Sequence, residues 1–373
     1  MNELFNNIFF IPLIVAFIIQ LAFILVLYGH LAFRRKNNFM PADHEFVPVS
    51  VVIVARNEAD NLYEHLPKIL KQDYPEFEVI VVDDQSNDET LDVLKAFKKH
   101  YSNLQIVYIG QEVNERTGKK LAITLGIKKA RHPLILLTDA DCYPLSDKWI
   151  RYMARNYSPA RPIVIGFSPY EKKKGFLNYF IQYDTFYTAL NYLSFAFAGM
   201  PYMGVGRNLM YSRSLFFQHA FSGQLHIPYG DDDLFVNKIA LSSNTTAEIH
   251  PDSFMVSKPH HKFIKWYRQK RRHLKTGNEY KFSHRFWLGF SWFSYPLFVL
   301  LFTGAILQNP YSYIIWGILA ARYFAMWLIY SISAIKLNSA RLIWTFPIME
   351  AIYNLLYLPV MGLISRFSAK NRW

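Results

Sequence analysis

Residues 133–141 read PLILLTDAD, an apolar run that ends in two carboxylates separated by one residue. A strand that is buried on both faces has a short continuous apolar sequence rather than an alternating one. In an open α/β sheet, ligands bind beyond the carboxyl ends of the strands. The run therefore predicts a central strand over 134–138. Asp139 and Asp141 then lie at its mouth, where carboxylate oxygens could hold Mg²⁺ or Mn²⁺ against a diphosphate.

The sequence around this run alternates between strand-like and helix-like segments. Strands are predicted at 49–54, 78–82, 104–108, 134–138, 162–167 and 204–211. Helices are predicted at 61–72, 88–100, 118–130, 176–197 and 234–241. Strands and helices at this spacing indicate βαβ units and a mostly parallel sheet with right-handed crossovers. The aromatic-rich helix 176–197 fits a membrane interface, the wall of an acceptor cleft or ordinary core.

Apolar residues make up 52% of the 373 residues and concentrate near the two ends of the chain. Residues 8–33 contain no Lys, Arg, Asp or Glu. An apolar segment of this length can cross a hydrocarbon core of roughly 30 Å. A cleaved signal peptide would need a basic start and a shorter core, whereas only Glu3 precedes the run. The cluster Arg34-Arg35-Lys36 follows it, which predicts a retained anchor with its C-terminal side in the cytosol.

Residues 286–365 form a second apolar region, with predicted spans at about 286–307 and 314–335. The third segment, 342–364, contains Pro347 and Glu350 and is followed by basic residues, which a full span would place outside against the positive-inside tendency. A broken or interfacial helix is favoured there, and a spanning one stays open. The predicted organisation is an anchor, a cytosolic catalytic domain at 45–280 and a C-terminal membrane region, in an inner or plasma membrane.

The net charge of +13 and the single cysteine limit the possible partners. Much of the positive charge lies beside the apolar segments, which suits an anionic membrane lipid surface, although a solvated basic face would look the same. No nucleic-acid-binding motif accompanies it, so nucleic acid is not an expected partner. Cys142 alone cannot form an intramolecular disulfide, which agrees with a reducing compartment.

An ordered series of motifs over about 47–275 resembles the membrane-anchored type of inverting family 2 glycosyltransferases. The matching segments are 49–58 (VSVVIVARNE), 79–90 (VIVVDDQSNDET), Gly118-Lys119 with Ala122, Asp139-Ala140-Asp141, 230–234 (GDDDL) and 267–273 (YRQKRRH). The resemblance implies an α/β, Rossmann-like GT-A fold of nucleotide-diphospho-sugar transferases, flanked by N- and C-terminal transmembrane helices. It also implies an NDP-sugar donor and a lipid-linked or glycan acceptor.

The resemblance implies a role for each candidate site residue. Residues that would bind the nucleotide sugar are Ala55, Arg56, Glu58, Asp83, Asp84, Lys119, Asp139, Gln269, Arg271 and Arg272. Asp141 would be the direct ligand of Mg²⁺ or Mn²⁺, and Asp139 would contact ribose or a water on the metal. Asp83 or Asp84 could instead cap the following helix, and we expect one to cap and one to bind. The lysines on this helix could instead form a solvated face, although the binding role of Lys119 is favoured.

Inverting transfer needs one carboxylate to accept the acceptor's proton. The resemblance aligns Asp231 with this base, but the run Asp231-Asp232-Asp233 allows a shift by one residue, which leaves Asp232 as the alternative. His273 stands where processive synthases of the family carry Trp, which favours transfer of a single sugar.

The resemblance thus implies a metal-dependent hexosyltransferase-type enzyme that acts on a membrane-associated or lipid-linked acceptor in cell-envelope glycan or glycolipid synthesis. A processive polysaccharide synthase is the alternative enzyme, and an inactive membrane scaffold is the more remote one. A sugar nucleotidyltransferase would need a glycine-rich loop after the first strand, and residues 55–58 contain no glycine.

Overall fold

The computed structural model describes residues 7–35, 39–110, 118–219, 230 and 232–367. Among them are nine strands: β1 (Val49–Ala55), β2 (Phe77–Asp84), β3 (Leu104–Ile109), β4 (Leu134–Asp139), β5 (Cys142–Pro144), β6 (Ile163–Ile165), β7 (Leu209–Ser212), β8 (Thr245–Ala247) and β9 (Met255–Ser257). The main sheet has the order β3-β2-β1-β4-β7-β6-β8. β1 to β4 run parallel, β7 pairs antiparallel with both β4 and β6, and β6 pairs parallel with β8. The prediction of a mostly parallel α/β sheet is confirmed.

Helices cover both faces of the sheet and extend beyond it on one side. They are α1 (Phe10–Ala32), α2 (Ala59–Leu70), α3 (Thr90–His100), α4 (Lys119–Lys129), α5 (Trp149–Ala154), α6 (Phe176–Phe197), α7 (Arg213–His219), α8 (Asp233–Ile239), α9 (Phe263–Thr276), α10 (Phe282–Gln308), α11 (Tyr313–Lys336) and α12 (Ala340–Ile364). The predicted helix 176–197 has the same bounds as α6.

The central strands are continuous apolar runs because both of their faces are buried. Val51 packs in the cluster that contains Leu66 of α2, and Val52 packs in the cluster that contains Ala122 of α4. Burying a side chain of this size contributes roughly 1.5–3 kcal/mol. Gly126 lets α4 approach the sheet, since a Cβ there would lie 2.6 Å from Cγ1 of Val52.

The register of the parallel strands aligns the candidate site residues at one edge. Ala55 pairs with Asp83, and Val54 pairs with Asp139. The carboxyl ends of β1, β2 and β4 therefore meet, as parallel strands require, and the loops that follow them share one surface.

The predicted strand 204–211 was wrong over its first half. Residues Gly206–Asn208 form a single 3₁₀ turn, and only Leu209–Ser212 are extended. The turn brings Gly206 against Asp232, whose Oδ2 lies 2.6 Å from the Gly206 nitrogen. A Cβ on Gly206 would lie 3.0 Å from that oxygen, so this close approach favours glycine.

Four helices are long and apolar enough to cross a membrane, namely α1, α10, α11 and α12. α10 and α11 contain the spans predicted at 286–307 and 314–335, and α1 lies within the segment predicted at 8–33. The α12 segment is irregular, because it begins with a 3₁₀ stretch at Ala340–Thr345 and contains a π-helical stretch at Ile352–Tyr357. Helix α12 also contacts two helices of the sheet domain, α6 and α9. The Tyr353 hydroxyl donates to Asp184 of α6 (2.7 Å), and Tyr357 stacks on Trp266 of α9.

The same four helices share one buried polar cluster. Arg322 of α11 forms an ion pair with Glu350 of α12, and both side chains are almost completely buried. Arg322 Nη2 also donates to Gln20 of α1 (2.7 Å), and Gln20 donates in turn to Ser294 of α10 (2.6 Å). A buried charge is tolerated only when it is paired, so the cluster fixes how the four helices pack.

Candidate active site

The loops that follow β1 and β2 are joined by backbone hydrogen bonds to side chains. The Asn57 nitrogen donates to Ser86 Oγ (2.9 Å), and the Glu58 nitrogen donates to Thr90 Oγ1 (2.9 Å). Asn57 has a positive φ of 57°, a conformation that Asn adopts more readily than most residues. These bonds hold Glu58 beside the carboxyl end of β2.

Asp83 and Asp84 present two buried oxygens without a hydrogen-bond partner among the described residues, Asp83 Oδ2 and Asp84 Oδ1. The expectation that one of them caps the next helix was wrong. Asp83 accepts from the Ser86 nitrogen within the turn (3.2 Å), and Asp88 accepts from Thr90 at the start of α3 (3.1 Å). Burial raises the pKa of Asp84. Such orphan acceptors need a donor, which a ribose hydroxyl or a base N–H can supply.

Three other predicted site residues at this edge of the sheet, Ala55, Arg56 and Glu58, differ in burial and in electrostatic surroundings. The Ala55 side chain is fully buried in the core, so only its backbone can contact a ligand. Arg56 is exposed, and its charge opposes the rise in the pKa of Asp84. Burial raises the pKa of Glu58, and the charges of Asp141 and Asp139 raise it further, which places Glu58 near the acidic pair.

Asp139 and Asp141 lie at the mouth of β4, as predicted, but their surroundings differ. Lys119 Nζ contacts Asp139 Oδ1 at 2.8 Å, so the lysine predicted to meet the diphosphate neutralises this carboxylate. Asp141 accepts from Cys142 Sγ and Ser257 Oγ, both at 3.2 Å, and has no ion-pair partner among the described residues. Burial and the neighbouring Asp139 raise the pKa of Asp141.

This environment fits a divalent cation. Two hard carboxylates stand one residue apart at a ligand-binding edge, and one of them, the half-buried Asp141, has no ion-pair partner among the described residues. Mg²⁺ is usually bound by one or two carboxylates together with substrate phosphates and water. Within the described part of the chain, no group of three or more His, Cys, Asp or Glu side chains is placed to hold a metal.

Arg207 is a site residue that the sequence reading missed. It lies on the 3₁₀ turn before β7, with its guanidinium 4.5 Å from the centroid of the Tyr170 ring. Its Nη1 is buried and has no partner among the described residues. Burial alone would lower the pKa of Arg207, but Tyr170, Asp141 and other acidic neighbours raise it above its ordinary value. The available signal was a lone charge in the segment 204–211, which was predicted to be a strand.

The acidic motif is only partly described. Asp231, the predicted base, lies outside the described residues. Asp232 accepts from two backbone nitrogens, Gly206 to Oδ2 (2.6 Å) and Asp233 to Oδ1 (2.8 Å), so both of its oxygens are used in fixing the start of α8. Asp233 accepts from Thr276 and from Tyr280 (2.9 Å), which ties α8 to the end of α9.

Helix α9 carries the basic motif into the site. Gln269 and Arg272 line the active-site cavity, whereas Arg271 is not among the residues that line it. Burial lowers the pKa of Arg272. Lys270, which was not predicted, also lines the cavity and forms an ion pair with Asp184 of α6.

One cavity of about 460 Å³ connects these groups to the membrane helices. One set of its lining residues is Lys119, Asp139, Arg207, Asp232, Gln269 and Arg272. This set and the strand-end carboxylates beside it are called the donor half below, after the role proposed for them. A second set is Asp184, Lys270, Leu288, Tyr353, Tyr357 and Leu358, and four of these six residues belong to α10 or α12. It is called the acceptor half for the same reason.

The family model of glycosyl transferase family 2 matches residues 50–222, which include β1 to β7 and the Asp139–Asp141 pair. The chain contains a family 2 glycosyltransferase domain. The resemblance drawn from the ordered motifs is therefore confirmed.

Two curated relatives each match less than a third of the chain. A poly-beta-1,6-N-acetyl-D-glucosamine synthase of Staphylococcus epidermidis is 30% identical over 108 residues, which are 29% of this chain and 25% of that protein. A poly(ribitol-phosphate) beta-glucosyltransferase of Bacillus spizizenii is 35% identical over 115 residues, which are 30% of this chain and 18% of that protein. The chain thus spans a quarter or less of the length of these two relatives.

A solved structure matches over nearly the whole chain. It is the mannosyltransferase PcManGT from Pyrobaculum calidifontis in complex with GDP-Man and Mn²⁺, which is 18% identical with a TM-score of 0.55. The match covers 92% of this chain and 99% of that chain. At this identity the likeness shows a shared fold, and the GT-A fold expected for the domain is confirmed.

Proposed function

We propose that this enzyme transfers a hexose from an NDP-sugar, with inversion, to a lipid-linked acceptor at the cytosolic face of a membrane. The product would be a cell-envelope glycan or glycolipid, made by single rather than processive transfer. The observation that carries the proposal is the continuity of the active-site cavity, which joins Asp139 at the sheet edge to side chains of α10 and α12. A substrate that enters from the bilayer could reach the donor half without leaving the protein.

The donor half has a group for each part of a sugar nucleotide. The orphan oxygens of Asp83 and Asp84 would accept hydrogen bonds from ribose or base, near Glu58 and the backbone of Ala55. Arg207 and Arg272 offer planar guanidinium donors that suit the oxygens of a diphosphate. Lys119 would either neutralise Asp139 beside the diphosphate or, after its side chain rearranges, contact the diphosphate directly. The complex of PcManGT with GDP-Man supports a nucleotide-sugar donor.

Asp141 and Asp139 would hold Mg²⁺ or Mn²⁺. A divalent cation at this position would neutralise charge on the leaving diphosphate as a Lewis acid. Arg207 and Arg272 would act beside it as the protein's own cations. Gln269, whose Oε1 accepts from the Tyr170 hydroxyl (3.5 Å), lines the same cavity as a neutral polar group. Preorganised donors of this kind stabilise charge that develops in the transition state.

The proton of the acceptor hydroxyl would go to Asp231. Asp232 is the weaker candidate, because each of its oxygens already accepts a backbone N–H and such bonds favour a carboxylate that is not protonated. Asp232 would instead position its neighbour by fixing the first turn of α8.

The acceptor half suits an amphiphile. Lys270 and Asp184 provide a polar end, and Leu288, Tyr357 and Leu358 provide an apolar one. Helix α12 follows the surface of the catalytic domain from Thr345 to Tyr357, since its residues contact α6 and α9. A helix that left the domain at once to cross the bilayer would not keep these contacts, so we propose that α12 lies at the membrane interface.

Release of the nucleotide diphosphate by the purified full chain tests this proposal. A panel of NDP-sugars with Mn²⁺ or Mg²⁺, each assayed with and without a lipid-phosphate acceptor, should identify one donor whose turnover needs the metal and rises with the acceptor. Asp92→Asn, an exposed carboxylate on α3, is the matched control for loss of a charge. If every donor is turned over at the same rate and EDTA does not reduce that rate, the proposal is overturned.

Orientation has a separate test. Ser102 is exposed in the catalytic domain, and Cys142 is buried. In a Cys142→Ala background, Ser102→Cys should resist a membrane-impermeant thiol reagent in intact cells and react after permeabilisation. Labelling in intact cells would show that the domain faces outward.

A further inference from the structure

A second cavity, of about 700 Å³, lies where α1 meets the glycosyltransferase domain. The last turns of α1 and residues 33–35 form one wall, and Arg155 with residues 247–250 forms another. Phe197, the last residue of α6, also lines it. We call it the juxtamembrane cavity. None of its described lining residues also lines the active-site cavity, so the two are separate.

The walls of the juxtamembrane cavity carry net positive charge. Glu248, the only carboxylate among its described lining residues, pairs with Arg155 at 2.8 Å, and these side chains are 5% and 2% exposed. Arg34 and Arg35 are exposed and have no ion-pair partner among the residues that the structure describes. Lys336, at the end of α11, donates to the Arg34 carbonyl and brings a further cation to this edge.

The same cavity has an apolar side. Val26 and Phe33 line it, and their side chains are 65% and 63% exposed. Both lie in or directly after α1, a helix with the length and hydropathy of a membrane span. The Arg34 guanidinium lies 4.7 Å from the centroid of the Phe197 ring, a cation–π distance that holds the charge at the cavity wall. Cationic and apolar groups thus meet at one end of a membrane-type helix.

We propose that the juxtamembrane cavity binds the headgroup of an anionic phospholipid. Arg34 and Arg35 would contact the phosphodiester, for which guanidinium groups are suited as bidentate donors. The acyl chains would lie along Val26 and Phe33, and this apolar contact distinguishes a bilayer lipid from free phosphate. Anionic lipids are concentrated on the cytoplasmic leaflet, the side on which the positive-inside pattern places Arg34.

Lipid binding here would act on a helix that also serves the active site. The last residue of α6 lines the juxtamembrane cavity, and Asp184, earlier in the same helix, lines the active-site cavity. An occupied juxtamembrane cavity would therefore fix the end of α6 against α1 and hold the catalytic domain at the lipid surface.

Native mass spectrometry of the full chain in mild detergent tests the site. Phosphatidylglycerol and phosphatidylcholine are titrated against the wild type, against Arg34→Gln/Arg35→Gln, and against Lys128→Gln/Lys129→Gln. The last variant removes the same charge from an exposed pair on α4. We expect the wild type and the α4 variant to retain phosphatidylglycerol over phosphatidylcholine. The arginine variant should bind phosphatidylglycerol about 30-fold more weakly, as two basic residues at an anionic surface predict.

Two results would overturn the proposal. One is equal retention of phosphatidylglycerol by the wild type and a folded arginine variant, with folding checked by its melting temperature. The other is displacement of the lipid by inorganic phosphate at the same concentration, which would assign the cavity to a free anion. No step of the test needs glycosyl transfer, so its outcome is independent of the proposed activity.

Discussion

The two halves of the active-site cavity are built in different ways. The donor half gathers around the carboxyl ends of parallel strands, where the register of the sheet fixes the spacing of Asp83 and Asp139. Residues of α4, α9 and the turn before β7 complete it. The acceptor half is built from helices that are distant in sequence, as the bond between Asp184 and Tyr353 illustrates. A donor site of this kind can be shared by enzymes with different acceptors, because the acceptor wall can change without disturbing the sheet.

Asp141→Asn should cause the largest loss of activity, and the loss should arise in the donor half alone. Loss of a metal ligand removes several kcal/mol of charge stabilisation, so turnover should fall by about 10³-fold or more while the protein stays folded. Initial rates of nucleotide diphosphate release in Mn²⁺ and Mg²⁺ measure it, with Asp92→Asn as the control. Undiminished activity of the variant would remove Asp141 from the metal site.

Asp231→Asn should come next, since a general base contributes about 10²–10⁴-fold. Donor binding should remain nearly unchanged, because this carboxylate acts on the acceptor, and loss in kcat without loss of binding is the expected pattern. Asp232→Asn should cost less, because the Asn oxygen can still accept the Asp233 N–H at the start of α8, although the amide nitrogen cannot replace the bond from Gly206. The reverse ranking of the two variants would move the base to Asp232.

Arg207→Met should lower transfer by roughly 10²–10³-fold, the typical cost of removing one donor that stabilises transition-state charge. Arg207→Lys keeps the charge but loses the planar fork and should recover only part of the activity. Single-turnover rates together with titration of donor affinity measure both effects. If Arg207→Met acts only on the acceptor KM, Arg207 belongs to the acceptor half and the division of the cavity is misplaced.

Tyr353→Phe should give the smallest effect and should leave the donor half intact. It removes a hydrogen bond to the buried Asp184 carboxylate, a bond of the charged type that contributes about 1.5–3 kcal/mol. We expect the acceptor KM to rise about tenfold, with unchanged donor hydrolysis in the absence of acceptor. Tyr311→Phe removes an exposed hydroxyl between α10 and α11, outside the cavity lining, and serves as the control. An equal change in donor hydrolysis would mean that the two halves are coupled.

Much of the donor half could be predicted because its signals are local. A strand buried on both faces must be apolar along its length, so the carboxylates that end such runs stand out, as Asp83, Asp84, Asp139 and Asp141 do. The prediction that Asp83 or Asp84 caps the next helix was wrong because of the turn after β2. This turn places Asp88, rather than Asp83 or Asp84, next to the first turn of α3.

The sequence by itself determined the order of strands and helices, the carboxylates at the sheet edge and the apolar segments at both ends, because burial requires apolar residues at fixed periods. Only the tertiary structure decided that Lys119 meets Asp139, that Arg207 enters the site and that Arg271 does not. It also decided that α6 and α12 together wall the acceptor half. These outcomes depend on contacts between residues far apart in the chain, and no local pattern encodes which distant surface a side chain will meet.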